Sequence, residues 1–270
     1  MNMQGKVAII TGASSGIGRA LAFRLGQKGA KLVITGRKPA PLEETRAELE
    51  TNGIEVLALI ADSSQEADNA RLVEATLQHF GRIDLLICNA GISMRALVED
   101  LDLDVIRQVM DINFYGAVYA VKYALPHLLA SQGTIVGISS IAGFRGLPAR
   151  SGYSASKFAM HGFLEALRTE LLKKKVHVLI ACPGFTQSNI RRVALTKDGQ
   201  AQGETPRDET AMMSAEAVAV SIVRAMEKKR RYLVLTRQGK LTVFLNKWWP
   251  ALMDKLVYNA LAREVNSPLS

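Results

Sequence analysis

The chain has 270 residues, 48% of them hydrophobic, which is enough to build the core of one large α/β domain or two small ones. Its formal net charge of +9 suits nucleic acid, a membrane surface or an anionic cofactor, and by itself excludes none of them. The two cysteines each end an apolar run, which excludes a disulfide framework and indicates buried, reduced thiols in a cytoplasmic protein.

The histidines, the N-terminus and the apolar runs indicate which kinds of protein are not expected. The four histidines lie far apart and pair with no cysteine or carboxylate at metal-ligand spacing, so we predict no metal site. No charged-then-apolar leader precedes the first apolar run, so we expect no signal peptide. We also expect no membrane-spanning helix, because no window reaches the roughly 18 uninterrupted apolar residues that one needs.

Seven short apolar runs alternate with stretches of helical periodicity along the chain. The runs are nearly continuously apolar, as in strands that are covered on both faces. They are GKVAIIT, AKLVIT, EVLALIA, IDLLICN, GTIVGIS, VHVLIAC and RYLVLT. The predicted helices span 17–28, 41–51, 66–80, 103–129, 153–173 and 215–228. This alternation predicts a single α/β domain over residues 1–270, a Rossmann-type, doubly wound parallel sheet of about seven strands with helices on both faces.

Two segments interrupt the alternation. Residues 185–213 are irregular and rich in Gln, Gly, Thr and charged residues, which is typical of a substrate lid or a disordered loop. Residues 237–270 form a basic, amphipathic extension in which Pro250 predicts two short helices. Such an extension suits peripheral contact with an anionic membrane, or an arm that packs on its own pocket or across a dimer. Nucleic acid is disfavoured, because no reader module or stacking platform is visible.

A glycine-rich stretch, TGASSGIG, follows the first predicted strand directly and opens the first predicted helix. Gly12 permits a tight turn, Gly16 lets the backbone approach a pyrophosphate, and Gly18 allows close helix packing. The start of the helix then meets the anion with free N–H groups and its positive dipole end. We interpret the loop, including Ser14, Ser15 and Ile17, as dinucleotide-binding, although its glycine spacing differs from G-x-G-x-x-G.

The end of the second predicted strand bears on which dinucleotide is bound. A sheet that prefers NAD usually has a carboxylate there for the ribose 2′-hydroxyl, whereas this chain has Gly36, Arg37 and Lys38. An arginine suits a 2′-phosphate through bidentate contact, and the lysine adds positive charge. We therefore expect NADP(H), with NAD(H) less favoured.

Tyr153 and Lys157 lie four residues apart in the stretch YSASK, so on a helix they share one face. Taken alone, this pair also suits an ordinary surface turn. Six motifs occur in order, however: TGASSGIG, CNAG at 88–91, Asn113 in DINFYG, GISS at 137–140, YSASK at 153–157 and PG at 183–184. Together they resemble the short-chain dehydrogenase/reductase family from about residue 6 to 235. The stretch GFRGLPARSGYSASKFAMHGFLEALRTEL, followed by PGFTQSNI, resembles in particular members that handle lipid or steroid ketones.

The resemblance implies roles for four side chains. Tyr153 exchanges a proton with the carbonyl oxygen while hydride moves at carbon. Lys157, helped by an oxidised nicotinamide, lowers the pKa of the phenol, and it also holds the nicotinamide ribose. Ser140 orients the substrate oxygen; Ser139 is the weaker candidate, because alternate strand residues face opposite ways. Asn113 holds a water that links Lys157 to solvent in a proton relay.

The resemblance also implies cofactor contacts beyond the glycine loop. They are Asp62 and Ser63 at the adenine, Asn89, Ala90 and Gly91 at the adenosine ribose, and Pro183, Gly184, Phe185, Thr186 and Ser188 at the nicotinamide, with Tyr153 and Lys157. Two positions depart from the family pattern. Ser188 replaces a common threonine and keeps its hydroxyl, and Cys88 replaces an asparagine that helps to hold its turn together.

The substrate class follows from apolar residues expected near the pocket: Phe144, Leu147, Phe185, Met212 and Met213. They favour reduction of an apolar ketone, because methionines adapt to varied apolar shapes. A 3-oxoacyl-thioester reductase is the alternative enzyme, and a catalytically silent dinucleotide-binding regulator or a membrane-surface lipid-binding protein is the alternative of another class. The family also leads us to expect a homodimer or homotetramer.

Overall fold

A parallel sheet forms the centre of the computed structural model, which describes residues 2–210 and 212–269. Within these residues seven strands lie in the order β3-β2-β1-β4-β5-β6-β7, and every neighbouring pair is parallel. The strands are β1 Val7–Ile10, β2 Lys31–Gly36, β3 Val56–Ile60, β4 Leu85–Cys88, β5 Thr134–Ile138, β6 His177–Cys182 and β7 Tyr232–Val234. The predicted doubly wound sheet is confirmed. Met1, Ala211 (within the predicted lid) and Ser270 lie outside the described residues.

Helices cover both faces of the sheet. They are α1 Gly16–Gly26, α2 Pro39–Thr51, α3 Glu66–Phe80, α4 Leu103–Met110, α5 Gly116–Ser131, α6 Ser151–Glu170, α7 Ala215–Glu227, α8 Arg237–Trp248 and α9 Pro250–Ala262. The single helix predicted over 103–129 is interrupted by a π-helical turn, Asp111–Tyr115, in which the Gly116 N–H reaches back to the Asp111 carbonyl. The predicted break at Pro250 is confirmed, because this residue begins α9.

Continuous apolar strands give the domain two separate cores. Ile10 belongs to a buried cluster with residues of α1 and α7, whereas its neighbour Ile9 belongs to a cluster with residues of α3, α5 and α6. Successive side chains of a strand point to opposite faces, so burial of both faces requires apolar residues at every position.

The strand order reverses direction at β1, whose two neighbours are β2 and β4. In open α/β sheets, ligands bind at such a switch point, outside the carboxyl ends of the strands. The loops that follow β1 and β4 are joined here: the Thr11 hydroxyl accepts hydrogen bonds from the backbone N–H groups of Asn89 and Ala90, each at 3.0 Å. The fold therefore brings the glycine loop and the CNAG turn to the same edge.

Candidate active site

One cavity of about 1370 Å³ lies at the carboxyl edge of the sheet. Its wall contains every predicted cofactor and catalytic residue except Gly18 and Asn113, which lie behind it. The lining members are Gly12, Ser14, Ser15, Gly16, Ile17, Arg37, Lys38, Asp62, Ser63, Asn89, Ala90, Gly91, Ser140, Tyr153, Lys157, Pro183, Gly184, Phe185, Thr186 and Ser188. The loops after six different strands thus contribute to one site.

The glycine loop packs directly on the end of β4. Gly12 has φ +65°, and a Cβ atom there would lie 2.8 Å from the Ala90 Cα. A Cβ at Gly18 would lie 2.4 Å from the Asn89 side-chain amide, which itself donates to the Thr11 and Gly12 carbonyls at 2.9 Å. Asn89 and Thr11 therefore hold the turn in which Cys88 replaces the family asparagine.

The start of α1 can receive an anion. Among the described residues, the Ser15 side chain makes no capping hydrogen bond and the first turn contains no acidic residue. Gly16 has φ +54°, and a Cβ there would meet only the Ser188 Cβ, at 3.5 Å. Free N–H groups, a positive helix end and open space are what the pyrophosphate of a dinucleotide needs, so the residues present fit this cofactor.

Arg37 and Lys38 are exposed at the end of β2, and neither forms an ion pair within the described residues. The Ser14 side chain lies beside them, since its hydroxyl oxygen is 3.1 Å from the position of a Cβ on Gly36. After the neighbouring strand β3, one Asp62 carboxylate oxygen accepts from the Ser64 N–H at 3.0 Å and from the Ser64 hydroxyl at 2.8 Å. This end of the cavity therefore offers two cations and two hydrogen-bonding side chains.

Ser140, Tyr153 and Lys157 meet where β5 ends against α6. The Ser140 and Tyr153 hydroxyl groups are hydrogen-bonded to each other, and the Ser140 hydroxyl also accepts from the Ala142 N–H at 3.1 Å. Lys157 is 3% exposed; its Nζ donates to the Ile138 carbonyl at 3.0 Å and lies 5.7 Å from the centre of the Tyr153 ring. Two hydroxyl groups thus converge on a point where a carbonyl oxygen can accept from both.

Burial dominates the pKa of the Tyr153 phenol in the chain alone. It raises this pKa above its usual value of about 10, against the opposing hydrogen bond with Ser140. The predicted lowering of this pKa by Lys157 applies to the site with an oxidised nicotinamide bound and stays a prediction; in the chain alone the Lys157 ammonium donates to the Ile138 carbonyl. Burial also lowers the pKa of Lys157 to about 8. At pH 7 the isolated site thus holds a neutral phenol beside a largely protonated lysine.

Asn113 lies in the π-helical turn and is fully buried. Its side-chain oxygen accepts from the Ile92 N–H at 2.8 Å, and its amide donates to the Ile92 carbonyl and to the Ser156 hydroxyl, both at 2.9 Å. The amide therefore fixes the loop after β4 against α6, at the residue that precedes Lys157 in the chain. Its predicted role in holding a relay water stays a prediction.

Ser139 belongs to a buried network that the sequence did not reveal. Its hydroxyl lies 2.7 Å from the His161 Nε2, and the Cys182 Sγ lies 3.6 Å from the same nitrogen. The preference for Ser140 as the substrate-facing serine agrees with this pairing, because the Ser139 hydroxyl is already engaged with His161. The network joins the end of β5, α6 and β6 next to the candidate catalytic side chains.

The same network predicts an acid-sensitive contribution to stability. Burial lowers the pKa of His161 to about 4, so this contribution is complete above pH 6.5 and is lost as the pH falls toward 4. The free energy of unfolding should therefore fall between pH 7.5 and 4.5, and we expect His161→Gln to remove about 3 kcal/mol of this fall. Urea unfolding at pH 7.5, 5.5 and 4.5 is the measurement. The control is His79→Gln on an exposed helix face. An unchanged pH dependence in the His161 variant would contradict the interpretation.

The half of the cavity expected to take the substrate is lined by apolar side chains and also by charged ones. Leu147, Phe185, Met212 and Met213 line it as predicted. Phe144 was wrongly expected there: its ring packs edge-on against His161, with the ring centres 4.7 Å apart, away from the described wall.

The C-terminal arm forms part of the same wall. Val257 and Leu261 of α9 contribute apolar surface, and the cavity also touches the start of α8 at Thr236 and Gly239. The expectation of an arm that packs on its own pocket is confirmed.

A charged cluster joins the arm to the cavity wall. The buried Glu264 carboxylate pairs with Arg150 at 2.6 Å, with Arg207 at 2.6 Å and with Arg95 at 3.5 Å. These arginines come from the loop after β4, the residue before α6 and the lid. No local sequence pattern predicts the cluster, since its members are separated by up to 169 positions.

Two searches of the described residues gave negative findings. Across 2–210 and 212–269, no group of three or more His, Cys, Asp or Glu side chains is arranged to hold a metal ion. Over the same ranges no helix combines the length and apolarity required to cross a bilayer.

Sequence comparison gives a family match and several relatives. The family model described as short chain dehydrogenase matches residues 6–198. Dehydrogenase/reductase SDR family member 7B of Mus musculus is 35% identical, over 99% of this chain and 85% of its own length. The 11-beta-hydroxysteroid dehydrogenase-like 6 of Arabidopsis thaliana is 40% identical, over 86% of this chain and 70% of its own length.

Solved structures agree with the fold and include both dinucleotides. A short chain dehydrogenase/reductase from Burkholderia phymatum in complex with NAD has a TM-score of 0.84 and 28% identity, covering 93% of this chain and 96% of its own. An alcohol dehydrogenase from Thermococcus sibiricus complexed with 5-hydroxy-NADP has a TM-score of 0.73 and 26% identity, covering 84% and 93%. A nicotinamide dinucleotide is therefore supported as the cofactor without a choice between the two forms.

Proposed function

This chain belongs to the short-chain dehydrogenase/reductase family, and from that premise we propose that it reduces the carbonyl group of an apolar ketone to an alcohol with NADPH. It is an oxidoreductase of CH–OH and C=O groups that resembles steroid-handling members. The observation that supports the proposal most is the convergence of the Ser140 and Tyr153 hydroxyls inside the cavity that contains the glycine loop.

In the proposed reaction the cofactor, when bound, supplies hydride to the carbonyl carbon. The Tyr153 phenol donates its proton to the carbonyl oxygen, and the Ser140 hydroxyl donates a hydrogen bond to the same oxygen. The raised pKa of Tyr153 keeps the phenol protonated at neutral pH, which suits an acid in the direction of reduction. Lys157 stabilises the phenolate left after transfer, because its ammonium is held within one helical turn of the ring.

The preference for NADPH rests on Arg37, Lys38 and Ser14 at the open end of the cavity. A guanidinium with no competing ion pair among the described residues is available to a 2′-phosphate, and charge-assisted hydrogen bonds are the strong ones. The Asp62 carboxylate follows β3, the strand beyond β2, and accepts hydrogen bonds from Ser64.

Arg37→Ala is expected to weaken NADP⁺ binding by about 10- to 100-fold, the loss of one to two charge-assisted hydrogen bonds. Its affinity for NAD⁺ should change by less than about threefold, because NAD⁺ has no 2′-phosphate to lose. Calorimetric titration of both cofactors measures the two values, with the exposed Lys174→Ala as the control for lost charge. If the variant lost affinity for NADP⁺ and NAD⁺ by the same factor, Arg37 would not be the contact of the 2′-phosphate.

An apolar ketone is favoured over a 3-oxoacyl thioester by the wall that Leu147, Met213, Val257 and Leu261 form. Assays with a steroid ketone and with an acetoacetyl thioester, each with NADPH and NADH, distinguish the two substrates. A silent dinucleotide-binding regulator is disfavoured, because Ser140, Tyr153 and Lys157 are all present.

We also propose that residues 185–213 act as the substrate lid of a single domain, and that the protein is a cytoplasmic homodimer or homotetramer.

We further propose that the arm touches an anionic membrane surface. Seven apolar side chains of α8, α9 and their junction are 45% to 60% exposed: Leu241, Phe244, Trp248, Trp249, Leu252, Leu256 and Tyr258. Lys240, Lys247 and Lys255 are exposed among them. Aromatic and basic side chains on short helices are typical of interfacial binding to anionic lipid.

The double variant Trp248→Ser/Trp249→Ser should lower the affinity for phosphatidylserine-containing vesicles by about tenfold or more, equivalent to about 1.4 kcal/mol of lost apolar transfer. Co-sedimentation with such vesicles and with neutral vesicles is the measurement. Leu172→Ser removes an equally exposed apolar side chain outside the arm and serves as the control. If the unmodified protein, the double tryptophan variant and the Leu172→Ser variant all sedimented equally with the vesicles, contact between the tryptophans and the membrane would be excluded.

A further inference from the structure

We propose that the ketone substrate carries an oxyanion, such as a carboxylate, sulfate or phosphate, and that Arg150 and Arg207 bind it. This inference deepens the proposed function and rests on it. Its basis is a group of three arginines around Glu264, of which Arg150 and Arg207 line the cavity, while Arg95 contacts Glu264 from outside the cavity wall.

The arginine cluster is largely withdrawn from solvent. The exposed fractions of the Arg95, Arg150 and Arg207 side chains are 7%, 13% and 24%, and that of the Glu264 side chain is 3%. Arg207 also lies over the Phe185 ring, with the guanidinium carbon 4.0 Å from the ring centre. These side chains are therefore held in position before any ligand arrives, which reduces the entropy cost of binding one.

The charges within the cluster do not cancel. Three guanidinium groups share the Glu264 carboxylate, so two positive charges remain uncompensated by that residue. Burial lowers the pKa of Arg95, and the charges of Arg150 and Arg207 lower it further, against the attraction of the Glu264 and Glu204 carboxylates. Within the described residues the buried Arg95 Nε also has no hydrogen-bond partner. A second anion would relieve this repulsion, because uncompensated buried charge is costly.

The cluster lies close enough to the chemistry to act on a substrate. Arg150, Arg207 and Glu264 line the same cavity as Tyr153. The charge of Arg150 also acts on the Tyr153 phenol, whose pKa it lowers. A ketone whose carbonyl oxygen contacts Tyr153 can therefore place an anionic group at these arginines while its apolar body contacts Val257 and Leu261.

Binding to the NADP⁺-loaded protein tests the inference without requiring turnover. The probes are dehydroepiandrosterone sulfate, which is an apolar ketone with a sulfate, the uncharged dehydroepiandrosterone, and inorganic sulfate. We expect the steroid sulfate to bind at least about tenfold more tightly than the neutral steroid, the contribution of one charge-assisted interaction. Arg207→Gln should reduce this ratio toward one, whereas Arg192→Gln, an exposed arginine of the same lid, should preserve it.

Glu264→Gln separates the proposal from a purely structural role for the cluster. If the carboxylate competes with the ligand anion, its removal should increase the preference for the steroid sulfate. If the carboxylate only holds the arm in place, both steroids should bind more weakly by the same factor, and that result would overturn the proposal. Urea unfolding of each variant checks that it is folded.

The other outcomes are equally decisive. Equal affinity for the two steroids overturns the inference, and so does failure of the steroid sulfate to bind. Displacement of the steroid sulfate by inorganic sulfate at the same concentration also overturns it, because that result indicates a site for free anions. If the protein reduces neutral and anionic ketones equally well, this inference fails and the proposed function stands. If the protein binds the steroid sulfate tightly but reduces no carbonyl group, the proposed function fails and anion binding at the arginines stands.

Discussion

Replacing Tyr153 by Phe should lower kcat for ketone reduction by about 100- to 10,000-fold, the usual contribution of a positioned general acid. The ring is retained, so the packing against Lys157 is preserved and the proton donor alone is lost. NADP⁺ affinity should change by less than about threefold, because the glycine loop that is expected to hold the pyrophosphate is untouched. Steady-state kinetics and calorimetry give the two quantities.

The matched control is Tyr123→Phe, which removes a phenol that donates to Glu66 on an exposed helix face. Its turnover should equal that of the unmodified protein. The pH profile gives a further check: because burial raises the pKa of Tyr153, alcohol oxidation should accelerate as the pH rises and ketone reduction should not. Retained turnover in the Tyr153→Phe variant would exclude the proton-transfer role.

Replacing Gly12 by Ala should weaken binding of the dinucleotide by about tenfold or more. The new Cβ would lie 2.8 Å from the Ala90 Cα, so the loop or the CNAG turn must move. Movement misaligns the backbone N–H groups at the start of α1, and one lost charge-assisted hydrogen bond already corresponds to about 1.5–3 kcal/mol. Titration with NADP⁺ and urea unfolding are the two measurements.

Gly53→Ala is the control for this change, since Gly53 has φ +71° and no described atom lies within 4 Å of its added Cβ. Both variants incur the cost of a left-handed backbone, about 1–2 kcal/mol of folding free energy. Only the Gly12 variant adds a steric collision and a loss of cofactor affinity. If the two variants bound NADP⁺ equally well, the tight approach of the loop to Ala90 would have no functional importance.

The fold could be predicted from the sequence because its parallel strands are buried on both faces. Runs such as AKLVIT and VHVLIAC are apolar at nearly every position, and all seven predicted runs contain strands of the sheet. The π-helical turn at Asp111–Tyr115 could not be predicted, since one extra residue per turn leaves the apolar spacing of the flanking helices almost unchanged. The interruption of the predicted 103–129 helix is set by tertiary contacts of Asn113 with Ile92 and Ser156.

The site was predictable where its residues lie in local motifs. The residues of TGASSGIG, CNAG and YSASK follow strands or share a helix face, so their convergence follows from the topology. The partnership of Ser139 with His161, and of Glu264 with Arg95, links residues far apart in sequence with no repeating pattern. The raised pKa of Tyr153 depends on burial by distant segments, which spacing alone does not give.

The two thiols described above make the protein convenient for site-directed labelling. Cys88 and Cys182 are buried and form no disulfide, and burial raises the pKa of both to about 12, so reactive thiolate is scarce at neutral pH. A maleimide dye should therefore attach selectively to a cysteine introduced at an exposed position, such as Val193 in the lid or Leu256 in the arm, with the native cysteines left in place. Fluorescence from such a dye would test whether the proposed lid and the arm move in solution.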